Sequence, residues 1–142
     1  MDGNQQRRSL FPLGLMVGAC VLGLLFCCSC QLAQSPFVQT TSNAGAAFSA
    51  AVATLSAVHE GKLTTAYARS SFLNYQSELQ DLDQQLSSQS GASDQRIVRH
   101  LLAVYRPAML VVKQPCLAVS CNWHVQRSIL EQARDAFLQA GE

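Results

Sequence analysis

Residues 72–86, FLNYQSELQDLDQQL, decide the fold. Phe72, Tyr75, Leu79, Leu82 and Leu86 recur at steps of three and four, which lines all five along one stripe of an α-helix. Glu78, Asp81 and Asp83 fall away from that stripe, where water can solvate them. The spacing predicts one helix from about Leu63 to Ser88, closed by Gly91 and its neighbouring serines. Two heptads are too few for a free coiled coil, so the stripe must pack inside a bundle.

The same period continues on both sides. Upstream, Ala47/Phe48, Ala51/Val52, Leu55 and Val58 mark one face of a helix from Ala44 that Gly61 ends near residue 60. Downstream, Ser93 or Asp94 can cap a helix whose face is Ile97/Val98, Leu101/Leu102, Tyr105, Ala108/Met109 and Val112. Pro107 lies inside it and should remove one backbone hydrogen bond, kinking the helix or splitting it. LVV at 110–112 could be a strand, but a lone strand has nothing to pair with. After Pro115 and the loop CLAVSC, Ser120 or Asn122 can cap a last helix with Val125, Ile129, Ala133, Ala136/Phe137 and Ala140 inward, stopped by Gly141. The expected fold class is all-α: an antiparallel bundle of about four helices.

The N-terminus is of another kind. Arg7-Arg8 precede LFPLGLMVGACVLGLLFCCSC, 21 uncharged residues from Leu10 to Cys30. A short basic head and an apolar body are parts of a secretory signal, and the arginines hold the cytoplasmic side. The stretch is also long enough to remain as an anchor helix. Removal by an ordinary signal peptidase and lipid attachment are the other two readings. In its cysteines and the small residues before them, the leader resembles that of a bacterial lipoprotein precursor. That resemblance implies cleavage before a lipidated cysteine that becomes the new N-terminus. Cys30, after Cys27-Cys28-Ser29, is the favoured lipidation site; Cys20, after Val17-Gly18-Ala19, is the alternative. The resemblance covers this leader only and carries no activity with it.

The expected organisation is a signal or anchor at 1–29, a flexible tether at 30–43 around Pro36, and a helical domain at 44–142. Removing the first 29 residues leaves 113, one domain at most. That portion carries eight basic and eight acidic residues. Nucleic-acid binding and adhesion to an anionic surface need a basic excess, and there is none. The expected attachment is to the cell membrane, by lipid or N-terminal helix, with the domain on the extracytoplasmic side.

Cys116 and Cys121 are the only cysteines of the domain. In an exported chain, two in one loop read as a disulfide, here tying the third helix to the fourth. A metal reading takes Cys116, Cys121 and His124 as C-x4-C-x2-H and borrows a fourth ligand from His100 or His59. Structural zinc more often uses tighter cysteine pairs, and an oxidising compartment favours the bridge. A b-type haem between His100 and Met109 is a further conceivable site in a bundle; no C-x-x-C-H is present. His59 sits at a helix end, where an imidazolium complements the dipole. Tyr67, Phe72 and Tyr75 read as packing residues, and Trp123 as cover for the bridge.

Reaction chemistry has little support. The chain has no G-x-S-x-G, Walker loop, H-E-x-x-H or dinucleotide turn. Glu78, Asp81 and Asp83 lack a partner motif such as Glu-x-x-His and read as a solvated acidic face. The expectation is a non-enzymatic binding or interaction module without a resident cofactor. Its partner would be a protein or small molecule, met at a groove between helices or at the polar face of Glu78–Asp83. The alternative is a metal- or haem-binding bundle of the cell envelope.

Overall fold

A computed structural model of the chain describes residues 35–89 and 95–142. The leader with Cys20 and Cys30, the first part of the tether, Gly91 and the Ser93/Asp94 cap lie outside the described residues. Five helical segments follow: α1 Pro36–His59, α2 Thr65–Leu79, α3 Leu82–Gln89, α4 Gln95–Lys113 and α5 Trp123–Ala140. There is no strand among the described residues, so LVV at 110–112 is helical. α1 packs chiefly on α5, α5 on α4, α4 on α2, and α2 back on α1. That ring is an antiparallel four-helix bundle, with α2 and α3 together taking one of its four positions. Among the described residues no helix is long and apolar enough to cross a membrane.

The first correction concerns the tether. Helix α1 starts at Pro36, eight residues before the expected Ala44, and the compact unit begins at Ser35. Ser35 is the N-cap, its hydroxyl accepting from the Val38 N–H at 3.3 Å, and Pro36 occupies the first turn. Serine followed by proline is a helix-start signal, because the cap satisfies a free N–H and proline has none to lose. The poor helix formers Thr40–Asn43 obscured it. Thr41 is fully buried, and its hydroxyl returns a hydrogen bond to the carbonyls of Phe37 and Val38, both at 3.0 Å.

α1 ends as expected at Gly61, for a definite geometric reason. The Gly61 N–H donates to the Val58 carbonyl and the Lys62 N–H to the Ala57 carbonyl, at 3.0 and 2.8 Å. This double closure requires a left-handed residue, and Gly61 has φ of 70°. It also fixes His59 as the last helical residue.

The second correction is a break. The helix expected over 63–88 is interrupted at Gln80–Asp81, giving α2 and α3. All of its apolar stripe still turns inward, with Phe72, Leu79, Leu82 and Leu86 buried and Tyr75 half-buried. The Leu79 carbonyl, in a last turn that leaves carbonyls unpartnered, accepts from the buried Tyr105 hydroxyl of α4 at 2.7 Å. Burial first, then the nearby carboxylates of Asp83 and Asp81, push the Tyr105 phenol above its ordinary pKa of 10.0. The unfolded chain therefore releases that proton first. The contribution of Tyr105 is intact below about pH 10 and is lost as pH rises through the raised value. Tyr105→Phe should lower stability by about 1–2 kcal/mol at neutral pH by orphaning the Leu79 carbonyl. Urea unfolding checks this, and the gap to the parent should narrow above pH 10.

Pro107 does not split its helix: α4 runs unbroken from Gln95 to Lys113. Its buried face includes Val98, Leu101, Tyr105, Ala108, Met109 and Val112 as expected, but Ile97 is exposed and Val111 is buried. In α5 the expected stripe holds at Ile129, Ala133, Ala136, Phe137 and Ala140, with Leu130 added and Val125 lost from it. Leu130, Ala133 and Phe137 are buried, whereas Val125 is 54% exposed. Phe48 of α1 and Phe137 of α5 meet with ring centroids 5.6 Å apart at the centre of the core. Thr54 is satisfied by the Tyr75 hydroxyl at 2.9 Å, which ties α1 to α2.

Candidate functional site

Two places on the bundle gather groups with chemistry to offer. One is the corner where the end of α1 meets the 114–122 loop. Cys116 and Cys121 lie there at disulfide distance, with Cα atoms 5.9 Å apart, inside the range a disulfide spans without backbone movement. The pair joins the segment after α4 to the start of α5. Closing a loop this short contributes about 2 kcal/mol by chain entropy.

The corner is held from both sides. The Cys116 N–H donates to Gln126 Oε1 at 2.7 Å, and Gln126 Nε2 donates to the Gln114 carbonyl at 3.2 Å. From α1, His59 Nε2 bonds the Cys116 carbonyl at 2.7 Å. Because a carbonyl only accepts, Nε2 is the donor in that bond. The imidazole lies flat on Trp123, ring centroids 4.6 Å apart and planes 4° from parallel. Trp123 thus covers His59, and His59 reaches the cysteine loop.

One ring nitrogen of His59 and the sulfurs of Cys116 and Cys121 all fall within 4.8 Å of one another. The sequence-based set was different. His124, the expected third member, is exposed and tilts against Trp123 at 4.0 Å. It follows Trp123 at the very start of α5, so helical geometry turns it off the cysteine loop. His100 is exposed, while Met109 is buried. Nine residues at about 100° each put those two on opposite sides of α4, so they cannot clasp one haem.

The second place is a groove of about 750 Å³ between the first half of α1 and the α2–α3 segment. Ala44, Ala46, Ala47 and Ala50 make one wall, and Leu79 and Leu82 part of the other. Gln39, Thr40, Asn43, Glu78 and Gln85 supply polar groups around it. Among the described residues, Glu78 is the single charged residue of the lining. The acidic trio is therefore divided, since Asp81 and Asp83 act on Tyr105 across the break. They do not form a paired-carboxylate site with Glu78.

A smaller recess of about 660 Å³ borders the cysteine corner, lined by Arg69, Leu73, Lys113, Leu117, Cys116 and Cys121 among others. The sequence does not point to Arg69, Lys113 or Gln126, and it offers His59 only as one of two candidates for a fourth ligand. His59 is 57 residues from Cys116, and no local spacing carries such a pairing. Comparison with known proteins finds no matching family model, no similar curated protein and no similar solved structure.

Proposed function

We propose that the chain is a membrane-tethered, extracytoplasmic binding module, and that the groove between α1 and α2–α3 is its working surface. The observation that carries this reading is the groove itself. Its volume lies within the range of ligand sites, and its apolar walls are rimmed by a few polar groups. Its alanines let a partner's backbone or a flat ligand approach closely, and Glu78 favours an occupant that is neutral or carries a positive charge. The residues around it suit binding rather than reaction, so the module is read as non-enzymatic. Lipid at Cys30, or alternatively at Cys20 or a retained leader helix, would hold it at the membrane. The Cys116–Cys121 disulfide suits the oxidising side of that membrane.

Photocrosslinking in intact cells tests the groove. A photoreactive side chain at exposed Ala46 or Gln85 should give a discrete adduct, lost when Ala50→Trp fills the groove. The same side chain at exposed Gln139 on α5 should give none. No adduct at the groove positions, or equal adducts at all three, would reject the groove as the working surface.

A further inference from the structure

We infer that reduction of the Cys116–Cys121 bond converts the α1–α5 corner into a binding site for one thiophilic d10 metal ion, with Cys116, Cys121 and His59 as its protein ligands. This does not depend on the groove. It rests on three ligand atoms drawn from two distant parts of the chain that lie within 4.8 Å of one another.

The distances suit the chemistry. Tetrahedral zinc with bonds of about 2.3 Å to sulfur and about 2.0 Å to nitrogen places ligand atoms about 3.5–3.8 Å apart. Bonded sulfurs are closer than that, so breaking the bond lets them separate into place. The histidine needs to close by about 1.3 Å at most. Its orientation is already fixed by the Cys116 carbonyl and by the face of Trp123. Gln126 pins the Cys116 backbone independently of the disulfide, so the loop keeps its shape when the bond is gone.

The recess beside the cysteines leaves room for a fourth ligand from solvent. Arg69 and Lys113 line it, and nearby cations favour thiolate over thiol. Two thiolates neutralise one Zn²⁺, so the bound ion adds no net charge next to those cations. The steps balance. A dithiol reductant supplies two electrons and two protons, becoming a disulfide itself and leaving two thiols on the protein. Zn²⁺ then displaces both thiol protons as two Zn–S bonds form. A disulfide oxidant reverses this: it takes two electrons from the two thiolates and two protons from solvent to become a dithiol, the Cys116–Cys121 bond re-forms and Zn²⁺ is released, which makes occupancy a readout of redox state.

The test uses the full chain in detergent, either as isolated or anaerobically reduced with a phosphine, with Zn²⁺ as the probe. Zinc per chain is compared with the Cys116→Ser/Cys121→Ser double variant, which subtracts any binding by leader cysteines. The reduced parent should hold one zinc more than the double variant, and the oxidised parent no more than it. His59→Gln should weaken affinity at least tenfold, while His124→Gln leaves it unchanged. X-ray absorption of the zinc-loaded parent, with the double variant's signal subtracted, should show two sulfurs and an imidazole nitrogen, whatever the fold of the His59 variant. Equal zinc in reduced parent and double variant, equal zinc in oxidised and reduced parent, or a sulfur-only shell would overturn the inference. So would a well-folded His59→Gln variant with undiminished affinity.

Discussion

Phe137→Ala is expected to destabilise the bundle by about 3–5 kcal/mol, because it removes a fully buried ring and leaves a cavity that its neighbours refill only in part. Phe137 packs on Phe48 where α5 meets α1, the most extensive helix pair in the bundle. A domain of this size holds only about 5–15 kcal/mol in all, so this one substitution threatens folding at physiological temperature. Thermal unfolding followed by circular dichroism should show the midpoint falling by at least roughly 10 °C. Leu110→Ala is the control. Leu110 is 68% exposed on α4, and its loss should move the midpoint little. A Phe137→Ala midpoint within about 2 °C of the parent would mean that α1 and α5 do not form the centre of the core.

Cys30→Ser carries the second large effect, on location. Each buried methylene of an acyl chain contributes about 0.8 kcal/mol to membrane attachment, and stable anchoring takes more than one chain. If Cys30 bears the lipid, its removal abolishes attachment outright or stalls processing with the leader still in place. Phase separation of membranes in a cloud-point detergent reads the first outcome, and the apparent mass reads the second. Lipid labelling that persists in Cys30→Ser would move the site to Cys20 or remove lipid from the account.

The bundle was legible in the sequence because its signal is dense. Phe72, Leu79, Leu82 and Leu86 keep helical phase through the break at Gln80–Asp81, so periodicity found the buried stripe and missed the interruption. Nothing local marks that break, and the Leu79 carbonyl meets its partner only once Tyr105 arrives from another helix. The start of α1 was written in Ser35-Pro36 but masked by the four weak helix formers at 40–43. In α5, Val125 and Leu130 are both apolar, and periodicity alone could not decide which of two adjacent faces turns inward. Pro107 shows the reverse case, where a strong local breaker is overruled by burial of Ala108, Met109, Val111 and Val112 just beyond it.

The candidate site was legible only in its local half. Cys116 and Cys121 stand five residues apart, and an exported chain with one such pair points to a bridge. His124 is nearest in sequence to the pair and is the third member that spacing alone selects. His59 holds that place because the turn at Gly61 ends α1 beside the loop, a relation that exists only after the bundle closes. The groove likewise needs α1 to extend back to Pro36, since Gln39, Thr40 and Asn43 line it.

The central claim is that this helical body is exported, trimmed of its leader and fastened at the membrane surface with its one cysteine pair oxidised. The mass of the intact native protein tests all of this together. The account predicts a chain lacking residues 1–29, heavier by acyl groups at Cys30 and lighter by two hydrogens for the Cys116–Cys121 bond. A mass equal to the full, unmodified and fully reduced 142-residue chain would contradict it.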